Sequence, residues 1–531
     1  MKKSYILVGL LAVAGAMASC SDDWDNHYES SAQVSKESVM QLIQDDPELS
    51  TFAQMLEISG YSDLLASTQT FTVFAPNNDG LKDIDLEDVD AVKRIVLNHI
   101  ARFNNSTAAG DGHTVKMYNG KRFAFDGNTF GGVVLDRADI IASNGILHVL
   151  DEQIPYSYNF REYINVHAST SKMAEFLALY DRREMDLGAS RPIGVDANGA
   201  TVYDSVMYDY NPVLEHGWYG IGDIADEDSL FTMVIPDNAA WDEAYARIRP
   251  FYNVYDKDQS VADSIGDVQT KLSIVHDLVF RRLIENPAAA TDLWTTRGSE
   301  IVDPQGFFTG TTREHASNGI MYLTSKLNYD NVATWNRLIE VEGEDQEGRQ
   351  AAQASTIYTR SVGSDNIYYD SISEARYIEV VSTGSTATQP GVTVTIPNVL
   401  STEYDIYVSF VPGTVTDTLN IEKTRLTFTL SYLGANGRTV NTTFRAQNDA
   451  ERYVTSPTEC KWIKVNNDPV SFPVSNYYDM LWLIDPLHTT NDRVYTTKLL
   501  IKTDVNNTEF NRNEMVRRFR IDRVVLVPIK K

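Results

Sequence analysis

One short pattern occurs twice in the chain, and this repetition restricts the possible folds more than any other feature. Residues 69–81 read QTFTVFAPNNDGL, and residues 230–241 read LFTMVIPDNAAW. Each copy predicts a short apolar strand that ends at Pro76 or Pro236, and the Asn and Asp residues that follow are suited to capping a helix. Two diverged copies of one domain are the simplest explanation of such a repeat.

A second pattern follows each copy of the first. Residues 142–149 read ASNGILHV, and residues 316–323 read ASNGIMYL. In both, an Asn-Gly pair predicts a tight turn into an apolar strand. The two patterns lie farther apart in the second copy than in the first, so the second unit is expected to carry insertions.

Together, the two patterns resemble the fasciclin-like domain. The resemblance covers residues 37–327, with one domain at 37–156 and a second domain, which carries the insertions, at 157–327. The FAPNN and NGILHVLD strings of the first copy follow the family pattern closely, whereas Ile235 and Tyr322 depart from it in the second. The resemblance implies an α/β fold for each unit and an association with adhesion.

The length of 531 residues predicts three or four domains, since a domain holds about 100 to 200 residues. Two fasciclin-like units leave room for one more, at residues 328–531. That segment alternates apolar and polar residues in short runs, which predicts a β-sandwich, and its last run, 519–528, resembles the closing strand of galactose-binding-like jelly rolls. The expected fold class is α+β: two fasciclin-like α/β domains in tandem, followed by an all-β jelly-roll-like sandwich.

Residues 1–20 predict a lipoprotein signal peptide. Lys2 and Lys3 precede an apolar run of about 13 residues, which is too short to span a bilayer. The MASC string that ends at Cys20 resembles a bacterial lipobox, which implies that Cys20 becomes the lipidated first residue. The alternative is an ordinary secretory signal with a chance cysteine.

Residues 21–36 are polar and predict a flexible stalk. Their first three residues, SDD, resemble the acidic signal that carries Bacteroidetes lipoproteins to the outer face of the outer membrane. We therefore expect a protein of the outer membrane that faces the cell exterior and touches the membrane only through its lipid. The formal net charge of −27 disfavours nucleic acid and anionic membrane surfaces as partners.

The chain shows no catalytic or cofactor motif. It has no Gly-rich phosphate loop, no HExxH motif, no cysteine pair with metal-ligand spacing and no GxSxG elbow. Carboxylates are too numerous for the sequence to locate a glycosidase pair. His148 matches a family position and is interpreted as a hydrogen-bonded packing residue, and Cys460 as a small buried hydrophobe. We expect no enzyme activity, no cofactor and no metal.

An insertion at 186–228 is rich in Gly, Asp and Tyr. Its aromatic residues are Tyr203, Tyr208, Tyr210, Trp218 and Tyr219. Such residues either form a binding surface or fix the insertion onto the core, and the second interpretation is preferred.

The candidate ligand or partner surface lies in the sandwich, in and beside residues 466–492. Sugar rings stack on aromatic faces, and their hydroxyls need fixed polar groups. The candidate residues are Asn476, Tyr477, Tyr478, Asp479 and Arg493. Trp482 stands in an apolar run, 480–484, and is expected to lie in the core.

These features indicate a non-catalytic cell-surface lipoprotein that contacts other proteins. The sandwich could in addition contact a glycan. Fasciclin-like lipoproteins of this kind resemble accessory components of SusC/SusD-type glycan-uptake systems. The expected partners are a SusC/SusD-like outer-membrane complex or other surface proteins, together with a polysaccharide. Two alternatives stay open: an adhesin that binds host matrix or neighbouring cells, and a component of a polysaccharide-active enzyme. Adjacent SusC/SusD-like and glycosidase genes would favour uptake, and an isolated gene would favour adhesion.

Overall fold

The computed structural model describes residues 36–109, 112–196, 198–216, 220–328, 330–331, 333–347, 349–383, 388–446, 451–476 and 496–530. The chain groups into two compact units, Met1–Tyr158 and Asn159–Lys531. None of the described helices is both long enough and apolar enough to cross a membrane. The expected signal peptide, Cys20 and nearly all of the expected stalk lie outside the described residues.

The first unit combines short helices with one sheet. Its helices are α1 (Val39–Asp45), α2 (Ser50–Ser59), α3 (Ser62–Ala66) and α4 (Val89–Asn98). Its strands are β1 (Phe71–Pro76), β2 (Ile100–Arg102), β3 (His113–Lys116), β4 (Arg122–Phe125), β5 (Thr129–Phe130), β6 (Val133–Ala142) and β7 (Gly145–Leu150). The strands pair in the order β2-β1-β7-β6-β5-β4-β3. Both repeated patterns therefore form neighbouring strands, β1 and β7, which run parallel to each other.

The Asn-Gly pair joins this sheet to the helices. The Asn144 side chain accepts a hydrogen bond from Val39 N (2.8 Å) and donates to Leu65 O (2.8 Å), so it ties α1 and α3 to the start of β7. A Cβ added to Gly145 would overlap the carbonyl oxygen of Phe71 on the paired strand. Only glycine allows this close approach of two backbones.

The first part of the second unit repeats this plan. Its helices are α5 (Phe160–His167), α6 (Lys172–Ala178), α7 (Pro212–Glu215), α8 (Asn238–Ile248), α9 (Gln259–His276) and α10 (Pro304–Phe307). Its strands are β8 (Arg182–Met185), β9 (Arg191–Val195), β10 (Thr201–Asp204), β11 (Met207–Tyr210), β12 (Phe231–Pro236), β13 (Val279–Phe280), β14 (Leu293–Trp294), β15 (Glu300–Ile301), β16 (Thr312–Ala316) and β17 (Gly319–Thr324). The main sheet has the order β13-β12-β17-β16, with β12 parallel to β17.

The second Asn-Gly pair makes the same contacts as the first. Asn318 accepts from Phe160 N (3.3 Å) and donates to Ile224 O (2.9 Å). A Cβ added to Gly319 would overlap the carbonyl oxygen of Phe231. Two diverged copies of one domain thus share both the sheet arrangement and the residue that fastens it, and the tandem fasciclin-like architecture is confirmed.

The insertion of the second copy forms a protruding hairpin. β8 pairs with β11, and β9 pairs with β10 farther out. Tyr208 is exposed, and Tyr203 and Tyr210 are half-exposed. The expectation that the aromatic residues fix the insertion onto the core is wrong for Tyr208 and Tyr210, because their rings contact each other and Arg182 lies beside the Tyr210 ring. Trp218 and Tyr219 lie outside the described residues.

The rest of the second unit is the expected β-sandwich. Its strands are β18 (Ile339–Glu342), β19 (Gln350–Ala351), β20 (Ser355–Ser361), β21 (Arg376–Ser382), β22 (Gly391–Thr395), β23 (Glu403–Phe410), β24 (Leu426–Leu433), β25 (Thr439–Phe444), β26 (Lys461–Lys464), β27 (Val470–Ser471), β28 (Lys498–Thr503) and β29 (Arg518–Pro528), and α11 (Asn507–Asn511) precedes β29. One antiparallel sheet has the order β20-β21-β29-β23-β26, with β18 beside β29 and β27 beside β23. The other has the order β19-β22-β28-β24-β25. Apolar residues of both sheets form one core, so the jelly-roll-like sandwich is confirmed.

The second fasciclin-like part and the sandwich are joined by direct contacts. Leu400 of the sandwich belongs to the apolar cluster of the fasciclin-like part. Ser401 N donates to Phe251 O (2.8 Å), and Ser475 N donates to Asn253 O (2.7 Å). Such backbone hydrogen bonds fix the two parts relative to each other, and a cleft lies where they meet.

Candidate ligand cleft

Most of the surface that the sequence pointed to lies outside the described residues. This applies to Tyr477, Tyr478, Asp479 and Arg493, as well as to Trp482. Asn476 is described and buried: its side chain accepts from Val399 N (2.6 Å) and donates to Ile396 O (3.3 Å). Asn476 therefore holds a loop of the sandwich in place, and the surface as a whole stays a prediction.

The structure shows the contacts of two other residues considered in the sequence, His148 and Cys460. The buried His148 ring donates from Nε2 to Asn105 O (2.9 Å), accepts from Asp139 N (3.3 Å) and stacks on Phe74 at 4.9 Å. Its interpretation as a hydrogen-bonded packing residue is confirmed. Cys460 is half-buried against an apolar cluster, and burial raises the pKa of its thiol to about 11.

A cleft of about 700 Å³ lies between the second fasciclin-like part and the sandwich. Most of its lining comes from four segments: the end of α9, the β14–β15 hairpin, residues 333–340 and residues 397–400. Tyr252 and Tyr404 also line it. Cavities of about 300 to 1,000 Å³ at the junction of two domains are typical of small-molecule sites. This cleft is therefore a candidate small-molecule site within the described residues.

An exposed tryptophan stands on the hairpin that lines the cleft. Leu293, the residue before it, is fully buried, and strand alternation turns Trp294 outward, where 54 % of it is exposed. Trp294 pairs across the hairpin with Glu300, so an aromatic face and a carboxylate lie side by side. The hairpin is held in place because Thr296 N donates to Val279 O of β13 (2.8 Å).

Asp277 is a buried carboxyl group of the cleft. It follows α9, and only 1 % of it is exposed. Burial raises the pKa of Asp277 to about 7, although a hydrogen bond from Ser299 and the charges of Arg337 and Arg297 favour its ionised form. Burial thus favours the protonated, uncharged form of this group more than in an ordinary aspartate.

The remaining lining mixes apolar residues, such as Leu338 and Ile339, with polar residues that carry both signs of charge. Arg337 donates to Gly298 O (2.8 Å), which places its guanidinium beside the hairpin turn. Glu340 pairs with Arg523, and Asn398 is exposed on the sandwich side. Within the described ranges, no group of three or more His, Cys, Asp or Glu side chains is arranged to hold a metal ion. The arrangement suits hydrogen bonding and stacking.

The residues of this cleft were not predicted as a site from the sequence. The one local signal is the alternation at Leu293 and Trp294, which places a large aromatic side chain on the solvent side of a short strand. The other lining residues are far apart in the sequence, and only the docking of the sandwich on the fasciclin-like part brings them together.

Comparison with known proteins identifies the first repeat. Residues 47–155 match the fasciclin domain family. A solved FAS1 domain pair from the insect cell adhesion molecule Fasciclin I is 14% identical, and the match covers 54% of this chain and 98% of that one at a TM-score of 0.20. Residues 47–155 are thus similar in sequence to the fasciclin domain.

Solved carbohydrate-binding modules are also among the matches. The C-terminal family 22 module of Clostridium thermocellum Xyn10B is 11% identical, with 36% of this chain and 94% of that chain covered at a TM-score of 0.21. The CBM22-1-GH10 modules of the same xylanase are 14% identical, with 36% and 28% covered at a TM-score of 0.22. The match thus spans little more than a quarter of that xylanase chain, and likenesses at these TM-scores carry no functional argument.

Proposed function

We propose that this chain is a non-catalytic binding protein of the cell surface that takes a glycan into the cleft between its second fasciclin-like part and its sandwich. The observation that supports this most directly is the exposed Trp294 beside a cleft of about 700 Å³ whose lining includes charged and amide side chains. A sugar ring presents a C–H face that packs on an aromatic ring, and its hydroxyls bond to charged and amide groups. Glu300, Arg337 and Asn398 supply such groups here.

The first test removes the aromatic platform. Trp294→Ala should weaken retention on a polysaccharide array at least tenfold, about 1.4 kcal/mol of binding free energy, because the stacking surface is lost. The melting temperature should stay nearly unchanged, since Trp294 is more than half exposed. The array should hold plant, fungal and host-derived polysaccharides.

Trp462 provides the matched control. It is a second exposed tryptophan, 47 % exposed, and it lies on strand β26. Trp462 is not among the residues that line the cleft, although the Arg523 guanidinium, 5.4 Å from its ring, pairs with Glu340 of the lining. Trp462→Ala should leave glycan retention at the wild-type level. If Trp462→Ala weakens retention and Trp294→Ala does not, the cleft is not the glycan site.

The anchoring and the partners belong to the same proposal. A lipid on Cys20 would tether the protein to the outer membrane, where a SusC/SusD-like complex would receive the captured glycan. Cys20→Ala should abolish acyl labelling and move the protein from the membrane to the soluble fraction. Cross-linking of intact cells followed by mass spectrometry should recover a SusC/SusD-like pair with the wild-type protein. Unchanged acyl labelling of Cys20→Ala would contradict the anchor.

Adhesion is the second candidate function, and the fasciclin match of residues 47–155 supports it. It predicts binding to matrix proteins or to neighbouring cells that does not depend on Trp294. A cell-attachment assay with the wild-type protein and with Trp294→Ala separates the two functions. Attachment that is equal for both proteins, without glycan retention, would favour adhesion.

A further inference from the structure

One sheet of the sandwich has charged residues of a single sign in its strands. The sheet β19-β22-β28-β24-β25 contains no Asp or Glu in these strands, and its charged residues are Lys498 and Lys502 of β28. Leu499 and Ile501 belong to the sandwich core, so strand alternation turns both lysines to the outer face of the sheet. Within the described ranges, neither lysine side chain has an ion-pair or hydrogen-bond partner. The strands themselves therefore leave this positive charge uncompensated.

The charges at the margins of this sheet are mixed, and most of them cancel. Three couples of opposite charge add nothing to the net charge: Arg425 with Glu509, Lys423 with Glu451, and Arg349 with Glu347. Asp504 follows β28, and Arg438 and Arg445 stand just before and just after β25. With the two lysines, the described residues therefore place four uncoupled cations and one uncoupled carboxylate on and beside this sheet. This is a local excess of positive charge on a chain whose formal net charge is −27.

The strand register sets the spacing of three of these cations. Lys498 and Lys502 lie four residues apart on β28, which separates them by about 13 Å at about 3.3 Å for each residue. Arg445 follows β25, which lies two strands from β28, so it is about 10 Å from Lys502 at about 4.8 Å for each step. Arg445 is exposed, and it continues the alternation of Asn441 and Thr443 on the outer face. The three cations thus offer separate contacts that one polymer with repeated anionic groups can make together.

Hydroxyl and amide groups fill the face between the cations. The hydroxyls of Thr429 and Thr443 lie 3.1 Å apart, and Ser431 Oγ donates to Asn441 Oδ1 (2.6 Å). Each hydroxyl has one donor and two lone pairs, so it can form further hydrogen bonds. Leu500 lies among them, opposite Thr429 on the neighbouring strand. Protein interfaces concentrate aromatic residues and are depleted in Lys and Ser, so this composition favours a polymer that bears hydroxyls over a protein partner.

We propose that this cationic face, formed by Lys498, Lys502 and Arg445 with the polar side chains between them, binds an acidic polysaccharide. The three cations pair with its carboxylate or sulfate groups, and the hydroxyls and amides of the face bond to its sugar hydroxyls. None of these residues lines the cleft, so the inference goes beyond the proposed function and does not depend on it. The Debye length at physiological ionic strength is about 8 Å, so the local charge excess governs contact with the polymer in spite of the negative net charge.

The test uses the full chain and a double variant, Lys498→Gln with Lys502→Gln. The probes are dextran sulfate, uncharged dextran as its neutral match, and polygalacturonate. The double variant should bind both acidic probes at least tenfold more weakly in calorimetric titrations, and the wild type should not bind dextran. The melting temperature should stay nearly unchanged, because both side chains face outward. The control is Lys82→Gln with Lys93→Gln, which removes the same charge from two exposed lysines of the first unit and should bind as the wild type does.

The salt dependence of binding separates ion pairing from other contacts. The logarithm of the wild-type affinity for the acidic probes should fall as the logarithm of the salt concentration rises, because bound cations displace the counterions of the polymer. The double variant should show a smaller slope, since it displaces fewer counterions. Lys498→Arg with Lys502→Arg keeps both charges and should retain the wild-type affinity. Wild-type binding that does not change with salt would overturn the cationic face.

The outcomes distinguish this inference from the proposed function. Trp294→Ala should bind the acidic probes as the wild type does. If Trp294→Ala loses them while the Lys498 and Lys502 double variant binds within twofold of the wild type, acidic glycan enters the cleft and the cationic face is wrong. If inorganic polyphosphate binds as tightly as polygalacturonate, the face selects charge alone and the assignment to a polysaccharide is wrong. If the wild type binds neither acidic probe, this inference fails, whereas the cleft proposal still depends on the array result with Trp294→Ala.

Discussion

His99 and His148 of the first unit are both buried in the neutral form. His99 donates from Nδ1 to Ile95 O (2.7 Å) and accepts from Ile154 N at Nε2 (3.0 Å), so it ties the end of α4 to the segment after the sheet. The acceptor role requires an unprotonated nitrogen. Burial lowers the pKa of His99 to about 4 and also lowers the pKa of His148. The family resemblance drew attention to His148. The hydrogen bonds of His99, at the end of α4, could not be predicted, because the sequence around it shows only the apolar spacing of a helix.

The stability of the first unit should therefore depend on pH through His99. Its pKa is lower in the folded than in the unfolded chain, so the stabilisation is fully present above pH 6.5 and is lost as the pH falls toward 4. The loss reaches about 3 kcal/mol, at about 1.4 kcal/mol for each pKa unit. Urea unfolding of the wild type and of His99→Gln should show a difference in free energy that shrinks over this range. Parallel curves for the two proteins would contradict the assignment.

At the scale of elements, each fasciclin-like part depends on one parallel strand pair, β1–β7 or β12–β17. The sequence predicted the turn into the second strand of each pair. It did not show that Asn144 and Asn318 reach the helices, because side-chain contacts to distant backbone groups leave no periodic pattern. The sequence also did not show why a glycine follows each asparagine. The reason is that the carbonyl oxygen of Phe71 or Phe231, on the paired strand, lies where a Cβ atom would be.

Gly145→Ala should destabilise the first unit strongly. The added methyl group would overlap the backbone of β1, and separating two paired strands costs about 3 kcal/mol or more. Gly194→Ala on the hairpin is the control, because an added Cβ has nothing within 4 Å there and should change stability by less than about 0.5 kcal/mol. The midpoint of urea unfolding measures both effects. Equal midpoints for the two variants would show that β1 and β7 can move apart freely.

The hairpin β8–β11 shows where composition misled the prediction. Aromatic residues in a long insertion often pack on a core, but Tyr208 and Tyr210 alternate with Asp209 along β11 and lie opposite Glu184 and Arg182 on β8. That alternation is typical of a two-stranded ribbon with solvent on both faces. Strand periodicity was thus the better guide than aromatic content.

For the whole molecule, the sequence predicted the kinds of domain and their order, but not how the last two meet. Repeated patterns and alternating runs are local, so they predicted the tandem fasciclin-like fold and the sandwich. The cleft depends on docking of the two parts through Leu400, Ser401 and Ser475, which are separated in the sequence from their partners Phe251 and Asn253. No local pattern encodes such a contact.

The second fasciclin-like part and the sandwich should unfold together. Leu400 is 3 % exposed and packs in the core of the fasciclin-like part, so Leu400→Ala should cost about 2 to 5 kcal/mol and shift one shared transition in calorimetry. Leu419→Ala is the control, because Leu419 is 83 % exposed in the same sandwich. Two separate transitions, of which only one responds to Leu400→Ala, would contradict this coupling.

Because both the second fasciclin-like part and the sandwich line the cleft, a glycan-binding screen of this protein needs both parts in one polypeptide. Carbohydrate-binding domains are commonly cut out and tested one at a time as reagents. A fragment that begins after residue 340 would keep Asn398 but lose Trp294, Asp277 and Trp335. If the cleft is the glycan site that we propose, such a fragment would give a false negative on an array. Any search for altered specificity should likewise vary the β14–β15 hairpin and the loop at 397–400 in the same library.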